Sequence, residues 1–158
     1  MNETTKRRAV GMKRIQRAGD KEGIIKLLTA ESVGAFRDMW RLLFFAALLG
    51  FKNGRREPLA SIQSGEAIRQ DSFANNPVWL GTVYLLGLVE TGKADVLRAT
   101  EDAEDERIQI FEEYANGGLE ILKQELEGSE GSLDALLTFI QSQTQPNPNR
   151  TVDLEIGI

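Results

Sequence analysis

Thr100-Glu-Asp-Ala-Glu-Asp-Glu-Arg-Ile-Gln-Ile-Phe-Glu-Glu-Tyr-Ala-Asn-Gly-Gly-Leu-Glu-Ile-Leu-Lys-Gln-Glu-Leu126 is the longest periodic stretch of the 158-residue chain. Ile108, Phe111, Ala115, Leu119, Leu122 and Leu126 recur at three- and four-residue steps, with Ile110, Tyr114 and Ile121 alongside. That spacing is an amphipathic helix. Acids fill its first turn after Thr100, where the helix dipole favours them. Gly117-Gly118 interrupts the pattern at about 1 kcal/mol per Gly relative to Ala. A kink, or close contact with another helix, is the expected reason.

Working outward, the neighbouring segments read the same way. Upstream, Pro77 suits the first turn of a helix that ends near Thr91-Gly92. Its Val78, Trp79, Leu80, Val83, Tyr84, Leu85, Leu86, Leu88 and Val89 predict a largely buried element. Ala94 to Ala99 reads as a short helical turn. Further upstream, Ser32 is a candidate cap for a helix to about Leu49, ending at Gly50. Apolar groups wrap nearly all round it beyond Leu42, so it is expected to be the central buried helix, with Arg37, Asp38 and Arg41 as its wetter stripe. Asp20 is a candidate N-cap for a short helix through Thr29. Lys52-Asn-Gly-Arg-Arg56 before Pro58 is a turn. Leu59 to Asn76 is either a short helix or extended. Downstream, Gly128 to Gly131 turns and Ser132 caps a last helix through about Gln141.

The sum is an all-α fold: a single compact domain of about five to seven helices over residues 20–143. A basic N-terminal arm, 1–19, is expected to be loose or weakly helical around Met12 to Ala18. The tail, 144–158, is expected to be extended or disordered. Aromatic residues such as Trp40, Phe44, Phe45, Trp79 and Tyr84 sit among Leu and Val at helical spacings, so core packing is their first reading.

Chemistry is sparse. The chain has no cysteine and no histidine, which removes thiolate chemistry, Zn–Cys sites, the usual general base and a conventional triad. No phosphate-binding loop or dinucleotide fingerprint appears. We therefore expect no enzyme, no cofactor and no metal. The N-terminus lacks the apolar run of a signal peptide, and Leu42 to Leu49 is far below the roughly 20 residues that span a bilayer. A soluble cytoplasmic protein without membrane contact is expected.

Charge is divided along the chain. Residues 1–60 hold 13 of the 19 Lys/Arg and 6 of the 24 Asp/Glu, a balance of +7; residues 61–158 carry −12. Such polarity speaks about partners rather than fold. The basic candidates for binding a partner or nucleic acid are Arg37, Arg41, Lys52, Arg55 and Arg56. On one reading, Lys-Asn-Gly-Arg-Arg presents guanidinium forks to phosphate, giving salt-dependent, sequence-independent affinity. On the other, these cations pair with the acidic helix of the same chain. The acids Glu101 to Glu113 admit a Mg²⁺ site for phosphodiester chemistry, but a solvated, dipole-matched helix start is the simpler account.

Phe36-Arg-Asp-Met-Trp-Arg-Leu-Leu-Phe-Phe-Ala-Ala-Leu-Leu-Gly-Phe-Lys-Asn-Gly-Arg-Arg-Glu-Pro58, with Phe111-Glu-Glu-Tyr-Ala-Asn-Gly-Gly-Leu119, resembles a small accessory family encoded with DNA phosphorothioation (Dnd) gene clusters, the phosphorothioation-associated protein 4 type. The resemblance implies a cytoplasmic protein working with phosphorothioate modification or the linked restriction machinery against foreign DNA. It brings no catalytic residues. The expected function is a non-enzymatic helical accessory protein that docks on other Dnd proteins as monomer or homodimer. The alternative is a module that contacts the DNA backbone.

Overall fold

A computed structural model describes residues 9–32, 34–62, 65–129 and 132–144. Among the described residues there are five α-helices: α1 (Glu22–Thr29), α2 (Met39–Lys52), α3 (Trp79–Thr91), α4 (Glu101–Glu125) and α5 (Leu133–Ser142). No strand occurs among the described residues, so the fold is all-α. The expected tail from Gln145 onward, and the first eight residues of the basic arm, lie outside the described residues.

Helix α4 is the axis against which α1, α2 and α3 all pack. It starts as its sequence predicts: the Thr100 hydroxyl accepts from the Ala103 amide, capping an acidic first turn. The Gly117-Gly118 pair is explained by a close crossing with α2. A Cβ at Gly118 would stand 1.8 Å from the Ala46 carbonyl oxygen, and one at Gly117 would stand 2.0 Å from that of Arg55. Gly50 completes the contact from the other side, 2.1 Å from the Tyr114 carbonyl oxygen on the same construction. Gly50 therefore lies inside α2, which runs on to Lys52, rather than ending the helix.

The start of α2 also differs from expectation. Ser32 does not cap it; the helix begins at Met39, after Gly34 at φ +64° and a Phe36 amide donated to the Leu28 carbonyl. Likewise Asp20 does not cap α1. A 3-10 turn, Gly19–Lys21, leads into that helix, and the Asp20 carboxylate accepts from Lys21 Nζ instead.

Among the described residues of Leu59 to Asn76 there is no α-helix: Ile62 and Ile68 form bridges, and one 3-10 turn, Gln70–Ser72, follows. Residues 15–18 are extended too, neither loose nor helical: Ile15 bridges Ile68 and Ala18 bridges Ile62. Ile15 and Ala18 are buried. At the centre, Trp79 stacks on Phe73 with ring centroids 4.3 Å apart and meets Phe111 edge-on at 4.9 Å.

Helix α3 departs most from expectation. It ends at Gly92 (φ +64°) as predicted, and its Trp79, Val83 and Leu86 are buried. However, Val78, Leu80 and Leu85 are 56%, 62% and 60% exposed. Helix α4 and the 3-10 turn Ala94–Leu97 pack against it, with Phe73 and Phe44 on Trp79, so a helix apolar on every side keeps part of its surface in water.

Candidate functional site

The five basic positions singled out by sequence fall into two groups. Arg55 and Arg56 follow the Asn53-Gly54 turn, with Gly54 at φ +65°. Arg55 Nε donates to Glu57 at 2.6 Å and its guanidinium also reaches Gln124 at 2.9 Å. Arg56 bridges two helices, bonding Glu113 of α4 at 2.6 Å and Glu90 of α3 at 2.8 Å. Burial pushes the Arg56 guanidinium down, but bonds to Glu90 and Glu113 outweigh it and hold it above its ordinary value. Tyr114 donates its hydroxyl to the other oxygen of Glu90. Lys52 closes α2 half-buried, with partners of its own.

Arg37 and Arg41 lie apart, at the other end of α2, and both are exposed. Arg41 stacks over Trp40 at 5.1 Å from the ring centroid and meets Asp38 at 3.4 Å. Among the described residues no carboxylate pairs with Arg37.

Among the described residues of the basic front, Lys13, Arg17 and Lys21 each meet a carboxylate of the acidic back. Buried Arg17 is held by Glu22 and Glu66. Buried Lys21 bonds Asp20 at 2.8 Å and Glu120 at 3.0 Å. Its burial would lower the ammonium pKa, yet those two bonds raise it overall. Lys13 meets Asp105 at 3.3 Å.

Two acids that read as solvated are structural. Glu104 is buried and accepts from the Gly11 amide and from Gln70. Glu112 accepts from the Gln16 amide at 2.6 Å. Burial pushes the Glu112 carboxyl up to about 7, against the lowering effect of that amide and of Lys13. The two carboxylates thus hold the 9–18 strap along α4. Their register was a usable signal: Glu104 and Glu112 stand four residues either side of Ile108, within the buried stripe of the helix.

The acidic run makes no metal cluster: no group of three His, Cys, Asp or Glu able to hold an ion occurs among the described residues. No described helix is long and apolar enough to cross a membrane.

The compact helical body, crossed through glycines and clasped by its own charges, defines a class: a small helical protein whose buried charged side chains are bonded within the chain. The chain belongs to the DNA sulphur modification system-associated protein 4 family, whose model matches residues 14–156. No curated protein and no solved structure matches it.

Proposed function

We propose that this protein is a non-enzymatic, cytoplasmic accessory factor of a DNA sulphur modification system, including its restriction arm, and that it acts by docking on other proteins of that machinery. The association with the system rests on the family. The observation that carries the docking reading is an inversion of surface roles. Arg17, Lys21, Arg55 and Arg56 are committed to carboxylates of the same chain, while leucines stand outside on α2, α3 and α5. Leu133 and Leu137 form one exposed i, i+4 pair on α5, and Val78 and Leu85 stand exposed on one face of α3, with Leu80 exposed well round the helix from them. Exposed apolar groups of this kind mark protein contacts rather than phosphate contacts.

The test is co-purification with the other modification and restriction proteins at physiological salt. Recovery of one of them, lost on changing Leu133 and Leu137 to Asp, is expected. Recovery of none would end the proposal.

Direct contact with the DNA backbone is the second reading. It draws on Arg37 and Arg41, both exposed, with Arg41 stacked over Trp40. It predicts duplex binding that weakens steeply with salt and falls when both arginines become Ala.

A further inference from the structure

We propose that the outer face of α3 is a two-fold interface with a second copy of this chain, the two α3 helices packing antiparallel. The inference stands apart from which machinery protein is bound.

Three observations converge on that face. First, its composition excludes charge: Pro77 to Val89 contains no Asp, Glu, Lys or Arg. A partner that leaves no charge unpaired must bring an uncharged face of its own, and this face is one.

Second, Gly81 has no reason within the monomer. Gly50, Gly87, Gly117 and Gly118 each sit where an added Cβ would press on a neighbour, whereas at Gly81, as at Gly23 of α1, nothing lies within 4 Å. A glycine inside an exposed helix is unfavourable by about 1 kcal/mol relative to Ala, and close approach of another helix is what a glycine there permits.

Third, the pattern is self-complementary. Val78, Gly81, Leu85 and Leu88 follow one another at three- and four-residue steps, the seam of a helix pair. A two-fold axis at the level of Val83 sets Gly81 of one copy opposite Leu85 of the other. The same axis sets Val78 opposite Leu88. Each Leu85 then enters the gap over a Gly81, so a large residue meets a small one in the two central layers. Half-exposed Thr82 and Val89 flank the seam. The symmetry makes the contact isologous, so it closes at two copies.

Charge gives the pair a distinctive salt response. Each copy carries −5, so two copies repel at long range, and screening strengthens the association. Head-to-tail pairing of the basic front with an acidic back would instead weaken in salt.

The experiment is sedimentation of the purified chain from low to high micromolar concentration, at two salt concentrations. A monomer–dimer equilibrium that tightens with salt is expected. Leu85→Glu should raise the dimer dissociation constant about 100-fold or more, since the residue counts twice in a symmetric contact. Its fold should be retained because the side chain is exposed. Gly81→Ala should weaken the dimer while raising the thermal midpoint of the dilute monomer by about 2–4 °C. Leu137→Glu should leave the dimer intact. A wild-type chain that stays monomeric, a dimer that survives Leu85→Glu, or a dimer that loosens in salt would each overturn the proposal.

Discussion

Helices α2 and α3 carry the same signal in sequence, an apolar circumference, yet they meet opposite fates. Both lie on α4. In α2 the small residues Ala46, Ala47 and Gly50 are fully covered, and the α4 backbone comes within van der Waals contact through Gly117 and Gly118. In α3 the buried side holds Trp79, Val83 and Leu86, while Val78, Leu80 and Leu85 face water and Gly81 opens on empty space. Periodicity reports how much apolar surface a helix has. It does not report whether the same chain supplies the cover.

The largest expected effect separates these two environments by their glycines. Gly118→Ala should cost 4 kcal/mol or more, because a Cβ 1.8 Å from the Ala46 carbonyl forces α2 and α4 apart. Chemical denaturation would read this as a collapse of the midpoint. A loss under about 1 kcal/mol would show that the crossing yields easily. The matching change in α3, Gly81→Ala, should act in the opposite direction.

Next in size is the clasp between α3 and α4. Arg56→Met leaves Glu113, whose side chain is only 10% exposed, without its cation, and should destabilise by about 2 kcal/mol. An unchanged denaturation midpoint would mean that Gln109, which already bonds Glu113 at 2.9 Å, is sufficient on its own.

The strap gives a smaller effect with a defined sign. The Glu112 carboxyl titrates near 7 in the fold and near 4.3 when unfolded. Between these values the folded state holds the extra proton, so stability declines as pH rises through that window. Glu112→Gln keeps the bond from the Gln16 amide but removes the ionisation. It should be more stable than the parent at pH 8 by up to about 3 kcal/mol and close to it only below about pH 4. Parallel stability curves for the two proteins would remove Glu112 as the source.

These contrasts show which parts of the molecule were legible in sequence. Thr100, Ser132 and Gly92 marked helix ends correctly, because a cap or a left-handed residue acts within one turn of chain. Ser32 and Gly50 misled for the complementary reason. The start of α2 is set by a bond from Phe36 back to Leu28 beyond a left-handed Gly34. Gly50 is glycine because of Tyr114 and Gly118, more than sixty residues away. The register of Glu104 and Glu112 hinted that these acids are covered, but not that the 9–18 strap covers them, since Ile68, Glu104 and Glu112 are all distant from it in sequence. Arg55 and Arg56 were recognised as a cationic pair, but the turn alone could not name Glu90 and Glu113 as the partners of Arg56, or Gln124 as that of Arg55. The exposed side of α3 needed the packed structure, since an outward-facing leucine and a buried one look alike in the chain.

Amide hydrogen exchange along α3, measured on dilute and concentrated protein, tests the account at its centre. Protection over residues 79–91 should rise with concentration in the parent and stay flat in Leu85→Glu, while the α2–α4 crossing remains equally protected in both. Protection of α3 that is independent of concentration in the parent would contradict the claim that this face is made to be covered by another copy.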